Sequence, residues 1–212
     1  MIRLAVCTML CAGALPAASE ARQLFNSKDL GGWTFLANKE GPGFVVENGM
    51  LRTRGGPGLL WYTREKIGNS VIRVVYSMST PAGNSGVFIR MPAPPRSEPD
   101  GAHSGIEVQI DDRDDDWHCT GTLYSMTKAR ARPKKPAGEW NVMEITLDGL
   151  RTTVTVNGVL VTDYDGVSPV PERTKAYEPV RGPRPQSGYI GLQNHDNHAV
   201  ISFREISVRK LR

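Results

Sequence analysis

The chain has 212 residues, a formal net charge of +4 and three cysteines. A domain of this order buries roughly 70% of its unfolded surface, so it can hold a core without a disulfide framework. The mild charge, with no helix or RNA-binding motif to present it, argues against a nucleic-acid partner, and past the N-terminus no segment is long and apolar enough to span a bilayer, which argues against a membrane one.

Residues 1–19 read as a secretory signal. Arg3 supplies the positive start, Leu4 to Leu15 is apolar and uncharged, and Pro16-Ala-Ala-Ser19 offers small residues to a peptidase. Cleavage near Ala18 or Ala21 leaves 20–212 as one domain, exported to the periplasm or the exterior. Leu10 stands where a lipoprotein signal has a small residue, so Cys11 is not expected to carry an anchor. Cys7 and Cys11 leave with the signal and Cys119 remains. His118 adjoins it, but strand neighbours point apart, so a buried inert thiol is expected rather than a nucleophile.

The rest is short β-branched runs bounded by turn residues. The region 26–33 allows a helical turn. Phe44 to Glu47 and Met50 to Thr53 form a hairpin about Asn48-Gly49. Strands follow at 58–63, 70–79, 85–91, 105–111 and 120–126. Trp140 to Leu147, Arg151 to Val156 and Val159 to Tyr164 make consecutive hairpins through Asp148-Gly149 and Asn157-Gly158. Strands at 188–194 and 199–209 finish the chain. Eleven or twelve strands, with no convincing amphipathic helix, predict an all-β fold. A two-sheet antiparallel jelly-roll sandwich with a concave face suits that count. Three Pro-rich loops, 92–103, 129–138 and 168–186, interrupt the pattern, and some of them are expected to rim a cleft. The basic cluster Lys128 to Lys135 reads as a solvated loop.

The strand 105–111 concentrates the polar residues. Glu107, Gln109 and Asp111 alternate with Ile106, Val108 and Ile110, so the three polar groups share one face at steps of about 6.6 Å. They form either the floor of a polar cleft or the outer face of a half-solvated sheet. By the same alternation Gln193 and His195 share a face, unless His195 belongs to an exposed turn over 194–198.

Several ordered motifs carry a family resemblance. They are Leu24-Phe-Asn-Ser-Lys-Asp-Leu-Gly-Gly-Trp33, Asn84-Ser-Gly-Val-Phe-Ile-Arg90, Ile106-Glu-Val-Gln-Ile-Asp111 and Thr120-Gly-Thr-Leu-Tyr124, followed by Pro136-Ala-Gly-Glu-Trp-Asn141, Val156-Asn-Gly158, Gly188-Tyr-Ile-Gly-Leu-Gln-Asn-His195 and Phe203-Arg-Glu-Ile206. In this order the chain resembles the 3-keto-disaccharide hydrolase domain, a secreted bacterial domain of the concanavalin A-like lectin and glucanase superfamily. The acidic insertion Asp112 to Asp116 and the long basic loop 168–186 depart from that pattern.

The resemblance implies cleavage of glycosides oxidised to a ketone at carbon 3. The ketone acidifies the hydrogen on carbon 2, a base removes it, the enolate expels the group on carbon 1, and water adds to the enone. Such a site needs a tuned base and a stabiliser for the enolate oxygen. Glu107 and His195 are the candidate catalytic groups. Arg90, Gln109, Asp111, Tyr124, Gln193 and Arg204 are the candidate substrate contacts, the arginines as clamps on oxygen and Tyr124 as donor or stacking ring. Trp61 and Trp117 can stack on sugar or pack in the core. Two alternatives stand beside this route. One is a retaining glycosidase with Glu107 as nucleophile and Asp111 as acid/base, whose carboxylates would have to approach within about 5–5.5 Å. The other is a carbohydrate-binding module or lectin without turnover. No cofactor is expected; the acidic turn 111–116 offers ligands for calcium but lacks the Gly and terminal Glu of an EF-hand loop, so a solvated turn is expected, with a divalent cation such as calcium as the alternative. The expected partner is a small saccharide or glycoside.

Overall fold

The computed structural model describes residues 20–195 and 197–211, and the signal-like segment 1–19 with Cys7 and Cys11 lies outside the described residues. Thirteen strands and one helix are present among them: β1 (Arg22–Gln23), β2 (Trp33–Ala37), β3 (Gly43–Glu47), β4 (Met50–Arg54), β5 (Gly58–Tyr62), β6 (Ser70–Met78), β7 (Asn84–Met91), α1 (Glu98–Ser104), β8 (Ile106–Asp111), β9 (Asn141–Asp148), β10 (Arg151–Val156), β11 (Val159–Tyr164), β12 (Tyr189–Asn194) and β13 (Ile201–Lys210). One sheet runs β11-β10-β9-β6-β13-β4-β3, with β1 added beside β13, and the other runs β2-β5-β12-β7-β8. Neighbours in both are antiparallel.

Alternation builds the core between the two sheets. Ile72, Val74, Tyr76 and Met78 of β6, with Met143, Ile145 and Leu147 of β9, meet Val87 and Ile89 of β7, Ile106, Val108 and Ile110 of β8, and Ile190 and Leu192 of β12. Each such side chain contributes roughly 1.5–3 kcal/mol by leaving water. Asn48-Gly49 and Asn157-Gly158 both take left-handed backbone, φ 52° and 74° in the first pair and 52° and 81° in the second. That is the geometry whose twist matches a two-residue hairpin. Between β9 and β10 the pairing of Arg151 with Asp148 makes Gly149-Leu150 the turn, one residue beyond the expected Asp148-Gly149.

Four local expectations are corrected. The extra strands β1 and β2 are too short or too weakly patterned to stand out in the sequence. Residues 26–33 form no helical turn; Asn26 Oδ1 instead accepts from the N–H groups of Lys28 and Asp29 at 2.8 and 3.0 Å. The segment 120–126 is a series of turns, bonded along the free edge of β8 through Thr120 N to Asp111 O, Gly121 N to Gln109 O and Tyr124 N to Glu107 O, each at 2.9 Å. The Pro-rich stretch 92–103 holds α1, whose cap is Ser97: its Oγ accepts from Asp100 N at 3.2 Å, with Pro99 in the first turn. Ser, Pro and Asp at those positions start a helix for physical reasons, even one too short to show a periodic apolar face. No helix among the described residues is long and apolar enough to cross a membrane.

Candidate active site

The outer face of the five-stranded sheet is the floor of a cleft. Registry fixes its layout: Glu107 stands opposite Phe88, Gln109 opposite Gly86 and Asp111 opposite Asn84. On the other side Gly191 pairs with Phe88, and Gln193 with Leu59 of β5. Helix α1 lies over one end of this face. Its Gly101 comes so close that a Cβ there would stand 2.6 Å from Leu59 Cδ2. Next to the helix an open volume of about 520 Å³ is lined by residues that include Asn84, Glu98, His103, Glu107, Gln109, Tyr124, Tyr177, Gln193 and His195. A space of that size and polarity suits a sugar-sized ligand.

Glu107 is the most perturbed acid of this cleft. It is 8% exposed, and burial, joined by the charge of Glu98, pushes its carboxyl up to about 8. Gln109, with its amide nitrogen turned inward, donates to Glu107 Oε1 at 3.2 Å and to Ser85 O at 2.9 Å. Glu98, on the first turn of α1, accepts from Gln193 Nε2 at 3.1 Å and from Asn38 Nδ2 at 2.9 Å. Burial and the neighbouring phenol of Tyr177 raise the Tyr124 hydroxyl, with Glu107 adding to the effect. Tyr124 therefore stays a protonated donor. His118 packs its ring on Tyr124 at 4.7 Å between centroids.

Two of the three Pro-rich loops rim the cleft. The first supplies Glu98, Pro99, Ala102 and His103, and the second supplies Tyr177. Arg184 holds the second in place by donating to Gly105 O at 3.1 Å and His103 O at 3.2 Å, and Arg181 by donating to Ser125 O at 3.1 Å. The third loop turns elsewhere: Arg132 pairs with Asp116 at 3.0 Å and Lys134 donates to Asp112 O at 3.0 Å, so part of the basic cluster is spent on the acidic insertion. Within that insertion ligand atoms of Asp114, Asp115 and His118 lie within 4.8 Å of one another. His118 Nδ1 is hydrogen-bonded to Asp115 at 2.8 Å.

Of the residues the sequence singled out, Glu107, Gln109, Tyr124, Gln193 and His195 come together around this cleft. Arg90, Asp111 and Arg204 do not, and each has a reason. Tyr189 pairs with Met91 while Gly191 pairs with Phe88, so β7 carries an extra residue there. Arg90 sits at that bulge with φ 57°. The phase of the strand inverts, and the guanidinium points between the sheets, donating to Thr152 Oγ1 at 3.2 Å, Pro185 O at 2.9 Å and Arg151 O at 2.9 Å. Asp111 keeps the expected face but is taken by Arg113 through Nε at 3.0 Å and Nη2 at 2.7 Å. Arg204 is on β13 of the other sheet, over the Trp140 ring at 4.7 Å. Trp61 lies on the same face as Glu107, edge-on to Tyr189 with centroids 5.2 Å apart. Trp117 belongs to the acidic turn, its N–H donating to Asp115 at 2.7 Å. Glu98, His103, Tyr177 and Asn84 were not anticipated as site residues. Glu98 and His103 come from α1, a helix too short to show a periodic face, and Tyr177 from an irregular loop, whereas Asn84 opens a strand whose outward phase was legible.

Fold and cleft together define an antiparallel sandwich of the concanavalin A-like class with a polar cleft on its smaller sheet. Residues 20–209 match the 3-keto-alpha-glucoside-1,2-lyase-like domain, and the chain belongs to that family. Among solved structures it is similar to the "Putative glycosyl hydrolase" of Parabacteroides distasonis ATCC 8503, with 24% identity and a TM-score of 0.71, covering 91% of this chain and 100% of that one. It is also similar to a protein of unknown function with a galectin-like fold from Bacillus subtilis, with 14% identity and a TM-score of 0.61, covering 92% and 96%. The carbohydrate binding module CBM66 from Bacillus subtilis shares 12% identity and a TM-score of 0.56, covering 84% and 96%. No protein of curated function matches by sequence.

Proposed function

We propose that this protein cleaves 3-keto-glucosides by elimination and hydration, and that it does so after export. The observation that carries the reading is Glu107: a buried carboxyl held at about 8, in a polar cleft that His195 and Tyr124 also line. A carboxyl in that state holds its proton at neutral pH and can give it to a leaving oxygen. Imidazole is the side chain suited to accept a proton near neutrality, and His195 brings one to the lining of the same cleft. In this assignment His195 removes the proton on carbon 2. The electron pair forms the enolate at carbons 2 and 3, and its oxygen accepts a hydrogen bond from the Tyr124 hydroxyl. Collapse of the enolate breaks the bond from carbon 1 to the glycosidic oxygen, which takes the Glu107 proton. Water then adds to carbon 1 of the enone and carbon 2 is reprotonated, giving the free 3-keto sugar.

The retaining route loses its second carboxylate, because Asp111 is bound by Arg113 and does not line the cleft. The experiment pairs methyl α-D-glucopyranoside with its 3-keto form. Cleavage of the keto form alone, with deuterium entering carbon 2 in heavy water, supports elimination. Retention of the original hydrogen at carbon 2 excludes it. Binding without cleavage makes the protein a saccharide-binding module. Export is tested by the N-terminal residue of protein recovered from outside the cytoplasm, expected near position 19 to 22 of this sequence.

A further inference from the structure

The cleft floor carries two side-chain oxygens with no partner among the described residues: Oε1 of Gln193 and Oδ1 of Asn84 are buried and accept no hydrogen bond. Both residues line the cleft. A buried acceptor left unsatisfied costs about 1–3 kcal/mol, and a ligand that brings a donor recovers it. Gln193 is 6% exposed. Its orientation is set by the bond from Nε2 to Glu98, so its oxygen faces away from that carboxylate.

The two amides are neighbours across strands. Gly191 pairs with Phe88 and Leu192 with Val87, so Gln193 follows beside Gly86, and Asn84 lies on the adjacent diagonal. Diagonal neighbours on a sheet face stand about 7–8 Å apart at their Cα atoms. Their side chains reach hydroxyls on a single pyranose ring. Gly86, between them, carries no side chain, and the Glu107 carboxyl occupies the space above it, so the two amide oxygens flank the acid. Both oxygens are acceptors, and the Glu98 carboxylate beside them is another. The complementary ligand surface is a set of O–H donors without negative charge.

We propose that Gln193 and Asn84 form a hydroxyl-reading subsite, one amide oxygen accepting from the hydroxyl on carbon 4 of a neutral glucoside and the other from the hydroxyl on carbon 6. This rests on the elimination reading, which consumes carbons 1, 2 and 3 and leaves those two hydroxyls untouched as handles. The subsite selects for unsubstituted sugars and against uronates, phosphates and sulfates at these positions.

Calorimetric titration of the full protein with methyl α-D-glucopyranoside and its 4-deoxy and 6-deoxy analogues tests the subsite without turnover. Each deoxy analogue is expected to bind about tenfold more weakly, the equivalent of one lost hydrogen bond at about 1.4 kcal/mol. Asn84→Leu should erase the discrimination against one analogue and keep that against the other, whereas Asn84→Asp, which keeps an acceptor, should keep both. Equal binding of all three sugars, no binding of the parent glucoside, or an Asn84→Leu protein that still penalises both analogues overturns the proposal. If the leucine variant does not fold, the wild-type and aspartate titrations still decide. Cleavage of the 3-keto glucoside with no deoxy discrimination ends the subsite and leaves the elimination reading standing. Discrimination without cleavage does the reverse.

Discussion

The carboxyl group of Glu107 lies in the space that a side chain on Gly86 would take. A Cβ on that glycine would overlap Oε1 and stand 2.7 Å from Cγ and 2.8 Å from Cδ of Glu107. The two residues are on adjacent strands, Glu107 two residues along β8 from Gln109, the partner of Gly86. The missing side chain thus gives the cleft its depth and lets the acid lie flat beside Gln109.

Gly86→Ala should therefore push Glu107 off its position. Overpacking of this size costs about 1–3 kcal/mol of stability, while misplacing a reacting group by about 1 Å costs on the order of 10²-fold in rate. The expected outcome is a folded protein with a modestly lowered melting temperature and kcat/KM for the 3-keto glucoside down by roughly that factor. Steady-state kinetics beside thermal denaturation separates the two effects. Unchanged kinetics would remove Glu107 from the chemistry.

Burying Glu107 has a pH signature. Its carboxyl is raised from an ordinary 4.5 to about 8, so between those values the folded chain holds a proton that the unfolded chain has released. The contribution is fully favourable below about pH 4.5 and is lost as pH rises toward about 8, with a slope near 1.4 kcal/mol per pH unit for one group. Glu107→Gln should flatten this slope, making the variant more stable than the parent at pH 8 and little different at pH 4.5. Melting temperatures recorded across that range check it; parallel profiles would mean the carboxyl is not held neutral.

The sheet frame was legible because alternation assigns faces. A period of two put Glu107 with Gln109 on one face and Gln193 with His195 on another, and the turn residues Asn48-Gly49 and Asn157-Gly158 set two hairpins of the larger sheet. Arg90 shows where that logic stops: one residue of bulge with left-handed backbone inverts the phase, and nothing in Phe-Ile-Arg-Met announces it. Arg204 shows a different limit. Its own strand was anticipated, but sheet membership depends on pairings far apart in sequence. Glu98 reaches the cleft from the short helix α1 and Tyr177 from an irregular loop. They are placed by contacts such as Asn38 with Glu98 and Arg184 with Gly105, which local pattern does not encode.

Glu98 is a positioning residue rather than a proton carrier in this scheme. Its charge helps to raise Glu107, and it anchors the amides of Gln193 and Asn38. Glu98→Gln should lower the Glu107 value and move the alkaline fall of kcat/KM to lower pH, in the direction given by losing a nearby like charge. The measurement is a pH–rate profile with the 3-keto glucoside. A uniform loss of rate with the alkaline limb unmoved would reduce Glu98 to scaffolding.

Two arginines that the sequence marked as clamps give opposite expectations once placed. Arg90 is 1% exposed and its guanidinium bonds Thr152, Arg151 and Pro185 across the gap between the sheets. Arg90→Met leaves those acceptors without donors, and a cost of about 3 kcal/mol is expected from unsatisfied buried groups. Arg204 is exposed on the other sheet and stacks on Trp140, so Arg204→Ala should cost about 0.5–1 kcal/mol. Neither should change KM for the 3-keto glucoside in protein that remains folded, because neither side chain lines the cleft. Denaturant titration gives the stabilities and initial rates give KM. A raised KM in a fully folded Arg204→Ala protein would put the substrate on the larger sheet and move the site away from Glu107.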